Sequence, residues 1–214
     1  FYVLDWHDAV SDIREQFPLD RDETQEIASR QGVGYPVDRH TRVPLVMTTD
    51  FLVDFSLDGS TRRVAYAVKP SKALTEARTA EKLEIERLYW LGKGVPWGIV
   101  TEGEISKPLV RNISWVHSYR DVEGFNNQPY PGYLAEKADL MLLELPSWRD
   151  ASLRQACQGL DMRFAMQTGT ALLLVRHLIA CKRLVCDMTL PLDDSAPVSR
   201  FQVATAVQKV GRLG

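Results

Sequence analysis

The sequence predicts an α/β protein in two parts, a mixed β-sheet flanked by helices and then a smaller, mainly helical region. Two apolar strands joined by the turn "DGS" at 58–60 indicate a β-hairpin in the first part. Apolar residues recur at helical spacing over 75–92. Beyond residue 132, three helical segments precede a short strand, so the organisation of the chain changes there.

The first part reads as an alternation of strands and helices. The opening "FYVLDW" is consistent with the end of a helix or a strand, and "DIREQFPL" alternates like a strand until Pro18. Residues 20–30 favour a helix, followed by the Gly- and Pro-containing loop "QGVGYPVDRH". The hairpin strands are "TDFLVDFSL" and "RRVAYAVKP", and "PWGIVTE" predicts a further buried strand after the 75–92 helix.

The second part begins after a segment rich in turn formers. "VEGFNNQPYPG", at 122–132, predicts a boundary between domains at 1–122 and 123–214. Helices are predicted at 133–145, 151–164 and 170–182. The strand "RLVCDM" and the tail "PLDDSAPVSRFQVA" follow, and three helices with a small strand pair are typical of a winged-helix domain.

The composition is that of an average soluble globular chain. The 214 residues are 45% hydrophobic and 25% charged, with a formal net charge of −2. The chain is therefore no polycation, and nucleic-acid contacts are expected from local basic patches or from partner proteins. No apolar run approaches the ~18 residues that cross a bilayer. Three cysteines without a CxxC pair favour a reducing cytoplasm over a disulfide framework.

Two charged residues lie where the hairpin strands begin and end. Asp50 precedes an apolar run on the first strand, and Lys69 ends an apolar run on the second. A turn at 58–60 places Asp50 opposite Val68, next to Lys69. A carboxylate and an ammonium group are therefore expected at one edge of a small sheet.

This pair suits metal-dependent phosphodiester hydrolysis. Asp50 and a main-chain carbonyl near residue 68 can bind Mg²⁺ through oxygen atoms, while Lys69 positions water or offsets developing negative charge. The spacing of Asp50 and Ala67-Val68-Lys69 resembles the PD-(D/E)XK nuclease signature. Because such a pair occurs often by chance, a structural salt bridge is the alternative interpretation.

A longer resemblance involves several ordered blocks. "DIREQFPL", "VMTTDFLVDF", "AVKPSKAL", "EKLEIERLYW" and "WGIVTEGEI" resemble TnsA, the endonuclease subunit of heteromeric cut-and-paste transposases, including those of CRISPR-associated transposons. The resemblance covers most of 1–117 and continues through "TGTALLLVRHLIACKRLVCDMTLPL". It implies a restriction-endonuclease-like (PD-(D/E)XK) α/β domain at 1–122 and a small winged-helix-like domain at 123–214.

The resemblance also implies roles for individual residues. Asp50 would be the metal-binding aspartate and Lys69 the catalytic lysine, with the Val68 carbonyl as a further ligand of Mg²⁺ or Mn²⁺. Gln16, in "IREQFP", lies where many such nucleases line the cleft.

Two basic residues follow the lysine of the pair. Lys72 and Arg78 could contact DNA phosphates, or they could be ordinary solvated charges at the start of a helix.

The chain departs from the family pattern at two places. The family carries a catalytic glutamate on a helix just before the "FYVLDW" block, whereas this sequence starts at Phe1 without an initiator methionine, as expected of a fragment. Some members have a glutamine two residues before the lysine, where this chain has Ala67.

The activity implied by the resemblance is hydrolysis of the 5′, non-transferred strands at transposon ends. The partners implied are transposon-end DNA, the transposase TnsB and the ATP-dependent regulator TnsC, in a bacterial cytoplasm and at the nucleoid when active. Two alternatives stay open: a stand-alone nuclease of the same fold, and a catalytically inert adaptor between transposase and regulator.

Other charged residues favour structural or docking roles. Glu84 and Glu86 are two residues apart on the predicted helix, so they point to different faces, and surface salt bridges with Arg87 or Lys82 are expected.

In the second part, "TGTALLLVRHLIACKR" could read DNA or dock a protein, because burial of its apolar run leaves only a few basic residues for solvent. The tail 199–214, with Arg200, Lys209 and Arg212, could become ordered on a partner.

Overall fold

The computed structural model describes residues 1–122 and 128–205, and the chain divides into two compact units, Phe1–Ser106 and Lys107–Gly214. The first unit contains helices α1 (Tyr2–Trp6), α2 (Arg21–Gln31) and α3 (Ala77–Gly92), and strands β1 (Val10–Pro18), β2 (Thr48–Leu57), β3 (Ser60–Val68) and β4 (Trp97–Val100).

The four strands form one mixed sheet in the order β1-β2-β3-β4. Strand β2 pairs antiparallel with both β1 and β3, whereas β4 pairs in parallel with β3. Antiparallel neighbours bring the end of β1, the start of β2 and the end of β3 to the same edge of the sheet. The predicted mixed sheet with flanking helices is confirmed. The candidate site residues lie at this edge of the sheet.

The hairpin turn differs from the prediction by one residue. Asp58 and Gly59 both have positive φ, 49° and 78°, as a two-residue turn requires. Phe51 pairs with Tyr66. Continuing this register places Asp50 opposite Ala67, so the expectation that it lies opposite Val68 is wrong. The shorter turn shifts the pairing, because turn length sets register.

The core of the first unit lies between the sheet and helix α3. Leu52 and Ala65, on neighbouring strands, are 1% and 0% exposed, and they cluster with Ile85 and Trp90 of α3. Burying one such leucine contributes roughly 1.5–3 kcal/mol relative to leaving it in water. This packing fixes α3 across the sheet and thereby sets which of its polar residues approach the strand ends.

The second unit is mainly helical. Its elements are α4 (Lys107–His117), α5 (Tyr133–Glu144), α6 (Leu153–Arg163), α7 (Thr170–Ala180), β5 (Leu184–Val185) and β6 (Gln202–Val203). Helix α7 contacts the other three helices, and its buried apolar residues form the centre of this unit. No helix in the described part of the chain has the length and apolar character needed to traverse a bilayer.

Helix α4 was not predicted, and it groups with the second unit although the predicted boundary placed it in the first. A buried asparagine of α4 joins it to a later segment of the second unit. Asn112 donates from Nδ2 to the carbonyl oxygens of Met188 and Leu190 at 2.8 and 2.7 Å, and its Oδ1 accepts from the Leu192 amide. Of the predicted boundary segment, residues 123–127 lie outside the described residues.

The short strands β5 and β6 pair antiparallel, with Leu184 opposite Val203. Helices α4 to α7 accompany the strand pair in the described part of this unit, and the winged-helix arrangement stays a prediction. Arg200 donates to the carbonyl oxygen of Pro191 at 3.0 Å. Lys209 and Arg212 of the predicted partner-binding tail lie outside the described residues.

Candidate active site

The edge of the sheet brings four sequence-predicted site residues together around one carboxylate. Asp50 Oδ2 accepts hydrogen bonds from the Val68 amide at 2.7 Å and from Lys69 Nζ at 2.9 Å. Its Oδ1 accepts from Gln16 Nε2 at 3.0 Å. The aspartate thus lies where β1, β2 and β3 converge.

Lys69 bridges two oxygen atoms. Its ammonium donates to Asp50 Oδ2 and, at 3.0 Å, to the main-chain oxygen of Val68. The side chains of Lys69 and Asp50 are 34% and 20% exposed, so the pair is partly shielded but still reachable from solvent. A salt bridge between the two exists, as the structural interpretation of the sequence requires, and it lies where a substrate can approach it.

Gln16 is held in place by local backbone geometry and by a neighbour. Its φ of 49° is unusual for a residue other than glycine, and it turns the end of β1. The Thr48 hydroxyl donates to Gln16 Oε1 at 3.0 Å, which orients the amide so that its nitrogen faces Asp50. Gln16 therefore positions Asp50, and Thr48 positions Gln16.

The electrostatics of the site favour an ionised Asp50. Burial raises the pKa of Asp50, but hydrogen bonds from Lys69, the Val68 amide and Gln16, with the charge of Lys69, together bring the pKa below its usual value. Hydrogen bonds to the charged form of a carboxyl group stabilise that form. These contacts therefore favour the anionic form of the Asp50 carboxyl group.

A second carboxyl group lies nearby, and the sequence interpretation of it was wrong. Glu86 is 5% exposed rather than on the surface, and its Oε1 accepts from the Thr49 hydroxyl at 2.8 Å. The same hydroxyl oxygen accepts from the Trp90 indole at 2.6 Å. Thr49 is the chain neighbour of Asp50, so Glu86 supports the strand segment that carries the aspartate.

The protonation of Glu86 differs from that of Asp50. Burial raises the pKa of Glu86 and the Asp50 charge adds to this, whereas the Trp97 indole, the Thr49 hydroxyl and Lys69 oppose it. The net direction is upward. Two neighbouring carboxyl groups therefore have pKa values shifted in opposite directions, a pattern typical of functional sites.

The helical spacing of the sequence already indicated that Glu86 is buried. Glu86 lies three residues from Leu83 and Tyr89, both buried, so it shares the apolar face of α3. Glu84 lies on a different face and forms the predicted surface salt bridge with Arg87 at 2.8 Å.

The two predicted phosphate contacts lie beyond this edge. Lys72 is exposed in the 3₁₀ turn Ser71–Thr75, and Arg78 is exposed in the first turn of α3, where it pairs with Glu81 at 2.6 Å. Neither donates a hydrogen bond to Asp50.

The donor atoms at this edge fit part of a site for a hard divalent cation. Asp50 Oδ2 and the Val68 carbonyl oxygen already converge on one positive charge, the Lys69 ammonium. Mg²⁺ prefers such oxygen ligands and usually keeps several waters. Within residues 1–122 and 128–205, no group of three His, Cys, Asp or Glu side chains could hold a metal ion.

Comparison with known proteins covers both units. Residues 7–102 match a family described as TnsA-like endonuclease N terminal, and residues 104–188 match TnsA endonuclease C terminal. Over 180 residues the chain is 39% identical to the Transposon Tn7 transposition protein TnsA of Escherichia coli. The aligned region is 84% of this chain and 63% of that protein, so the chain spans less than two thirds of its relative.

Proposed function

The chain belongs to the TnsA family, and on this premise we propose that it is the endonuclease subunit of a transposase complex, hydrolysing phosphodiester bonds at transposon ends. The observation that carries the proposal is the convergence of Asp50, the Val68 carbonyl and Lys69 at one solvent-accessible edge of the sheet. This edge lies in the unit that matches the N-terminal endonuclease family.

Each residue has a distinct role in the proposed reaction. Bound by Asp50 and the Val68 carbonyl, Mg²⁺ or Mn²⁺ would supply Lewis-acid polarisation of the scissile phosphate. The Lys69 ammonium orients the attacking water and offsets the negative charge that develops on the phosphate oxygens. Gln16 holds the Asp50 carboxylate in one orientation, which reduces the reorganisation needed when substrate binds.

The finer proposal concerns strand choice and partners. We propose that the chain cuts the 5′, non-transferred strands during cut-and-paste transposition, while a TnsB transposase joins the 3′ ends and a TnsC regulator contacts the second unit. The name of the Escherichia coli relative, a Tn7 transposition protein, supports a role in transposition. The net charge of −2 suits an enzyme whose partners select the DNA site.

A second candidate is an inert adaptor between transposase and regulator. The observation behind it is the salt bridge between Lys69 Nζ and Asp50 Oδ2 at 2.9 Å, a contact that can also serve the fold alone. In the adaptor, the contact between Asp50 and Lys69 is only a salt bridge that stabilises the strand edge.

The deciding experiment is strand-specific cleavage of a labelled transposon end in Mg²⁺, with full-length protein and its transposase. Asp50→Ala and Lys69→Ala are compared with wild type. The matched control is Lys93→Ala, which removes a surface lysine paired with Glu23 at 2.7 Å. We expect both site variants to lose 5′-strand cuts and to retain 3′ joining. Unchanged 5′ cutting in both would mean that the contact between Asp50 and Lys69 is only a salt bridge, and it would favour the adaptor.

A further inference from the structure

A second feature of the first unit is a groove of about 560 Å³ between the segment 35–45 and the start of α3. Its cationic lining residues are Arg39, Arg78 and Lys82, against a single carboxylate, Asp38. The groove therefore carries a local positive charge on a chain whose net charge is negative.

The positive charges are more available than the negative one. Within the described residues, neither Arg39 nor Lys82 has an ion-pair partner, and both are exposed. The Asp38 carboxylate is engaged in its own turn, where Oδ1 accepts from the amides of His40 and Thr41 at 3.0 and 2.7 Å. Arg78 contributes less, because Glu81 pairs with it.

The wall formed by segment 35–45 is held in shape by hydrogen bonds. The Leu45 amide donates to the Pro36 carbonyl at 3.0 Å, and the Asp38 amide donates to the Val43 carbonyl at 2.8 Å. The Tyr35 hydroxyl donates to the Leu45 carbonyl at 2.9 Å. A preorganised wall keeps its charges in place before a ligand arrives.

The two elements that line the groove, segment 35–45 and α3, also adjoin the edge that carries Asp50 and Lys69. Arg78, Lys82 and Glu86 recur every four residues on α3, which is about 6 Å per step along the helix axis. Glu86 is bonded to Thr49, the neighbour of Asp50. On the other side, segment 35–45 runs within a few residues into the start of β2 at Thr48. Helix α3 and the segment that runs from residues 35–45 into β2 thus support both the groove and the catalytic edge.

We propose that this groove binds the sugar–phosphate backbone of the DNA duplex beside the bond to be cut, with Arg39 and Lys82 as the principal contacts. Exposed cations of this kind neutralise phosphates and position a protein on DNA without reading bases. An acidic protein segment would satisfy the same charges, but continuity with the hydrolytic edge favours DNA. The inference rests on the proposed nuclease function of that edge.

The test measures DNA binding by the full-length protein, separately from cleavage. A fluorescent transposon-end duplex and an unrelated duplex are titrated without divalent metal across a salt series, using Arg39→Ala, Lys82→Ala and the double variant. The matched control is Arg154→Ala, an exposed arginine already paired with Asp194 at 2.9 Å.

Each groove variant should lower the slope of log affinity against log salt by about 0.9, because one phosphate contact is lost. At moderate salt this is roughly a five- to tenfold weaker affinity for each contact, equal on both duplexes. Lys82→Arg keeps the charge and should bind as wild type does.

Three results would overturn the inference. They are an unchanged affinity and slope in the double variant, a loss confined to the transposon-end duplex, and a wild-type chain that binds neither duplex at low salt. If the variants weaken only association with partner proteins, the groove binds an acidic protein segment and the inference is wrong.

The two proposals fail separately. Asp50→Ala should bind DNA normally and not cut it, whereas Arg39→Ala and Lys82→Ala should raise the DNA concentration needed for half-maximal cleavage. An Asp50→Ala variant that still cuts refutes the assignment of the Asp50 edge as the nuclease site while leaving the binding measurement intact.

Discussion

Asp50 and Asp54 lie on the same strand, β2, yet their carboxylates have different partners. Asp54 accepts two hydrogen bonds from Arg63, at 2.7 and 2.8 Å, and one from Arg14 at 2.9 Å. Asp50 accepts from an ammonium, a main-chain amide and a side-chain amide. Each carboxylate therefore accepts three described hydrogen bonds, but only that of Asp54 has a guanidinium donating to both of its oxygens.

The pKa values of the two aspartates do not separate them. The hydrogen bond from Arg63 holds the pKa of Asp54 below its usual value, and the pKa of Asp50 is also lowered. What differs is the chemistry of the partner. A guanidinium fork fits a carboxylate on both oxygens and stays charged, whereas a lysine is a compact point charge on a flexible stem. The contacts of Asp54 with Arg14 and Arg63 are therefore suited to stabilising the fold. The contact of Asp50 with Lys69 is suited to being replaced when a substrate binds.

The largest expected effect comes from the same substitution at both aspartates. Asp50→Asn should reduce cleavage of transposon-end DNA by at least about a hundredfold, because it removes the anionic ligand and keeps the shape. Asp54→Asn should stay within about threefold of wild type, a change of less than 1 kcal/mol in the barrier. Single-turnover cleavage rates of the two variants measure this. Equal losses would show that both carboxylates act only through the fold.

Exchanging the cation type sharpens the comparison further. Lys69→Arg would give Asp50 a partner of the kind that Asp54 has, and we expect cleavage to fall by about tenfold or more while the fold is retained. Arg63→Lys is the reciprocal control and should leave cleavage close to wild type. Thermal unfolding of both variants accompanies the rate measurement. Full activity in Lys69→Arg would mean that any cation serves at this position.

Stability should respond in the opposite order. Asp54→Asn removes the anion shared by Arg14 and Arg63, of which Arg14 also pairs with Asp12 at 2.9 Å, and we expect a loss of about 2 kcal/mol in the free energy of unfolding. The estimate is kept low because the two arginine side chains are 34% and 44% exposed, so water screens them. Asp50→Asn should cost less than about 1 kcal/mol. Urea denaturation measures the free energy of unfolding of both variants. An equal loss in the two would show that Asp54 is no more important for stability than Asp50.

The dependence of stability on pH should also differ between these carboxylates and Glu86. Because the folded pKa of Asp54 is lowered, its contribution is present above an unfolded value near ~3.9 and is lost as pH falls through the folded value. Because burial raises the pKa of Glu86, its contribution is present below an unfolded value near ~4.3 and is lost as pH rises through the folded value.

Glu86→Gln should therefore gain stability relative to wild type as pH rises above about 4.3, by an amount on the order of 1 kcal/mol. Glutamine keeps an acceptor for the Thr49 hydroxyl, so the gain isolates the charge. Denaturation of both proteins at a series of pH values provides the measurement. A difference that does not change with pH would mean that the pKa of Glu86 is the same in the folded and unfolded chains.

The hairpin and the charge pair at its open end could be predicted from the sequence, because their determinants are local. Turn formers between two apolar strands specify an antiparallel pair, and that pairing alone brings Asp50 near Lys69. The register was off by one residue, since "DGS" does not state whether two or three residues make the turn. The contact survived this error because Val68 and Lys69, whose amide and ammonium bind Asp50, directly follow Ala67 on β3.

The burial of Glu86 and the grouping of α4 with the second unit were decided only by tertiary structure. Helical spacing puts Glu86 on the apolar face of α3, but only packing against β2 seals its carboxyl beside Thr49. Asn112 likewise finds its partners Met188 and Leu190 far along the chain. Alternation and turn chemistry act over a few residues, whereas the burial of a polar group depends on which distant element covers it.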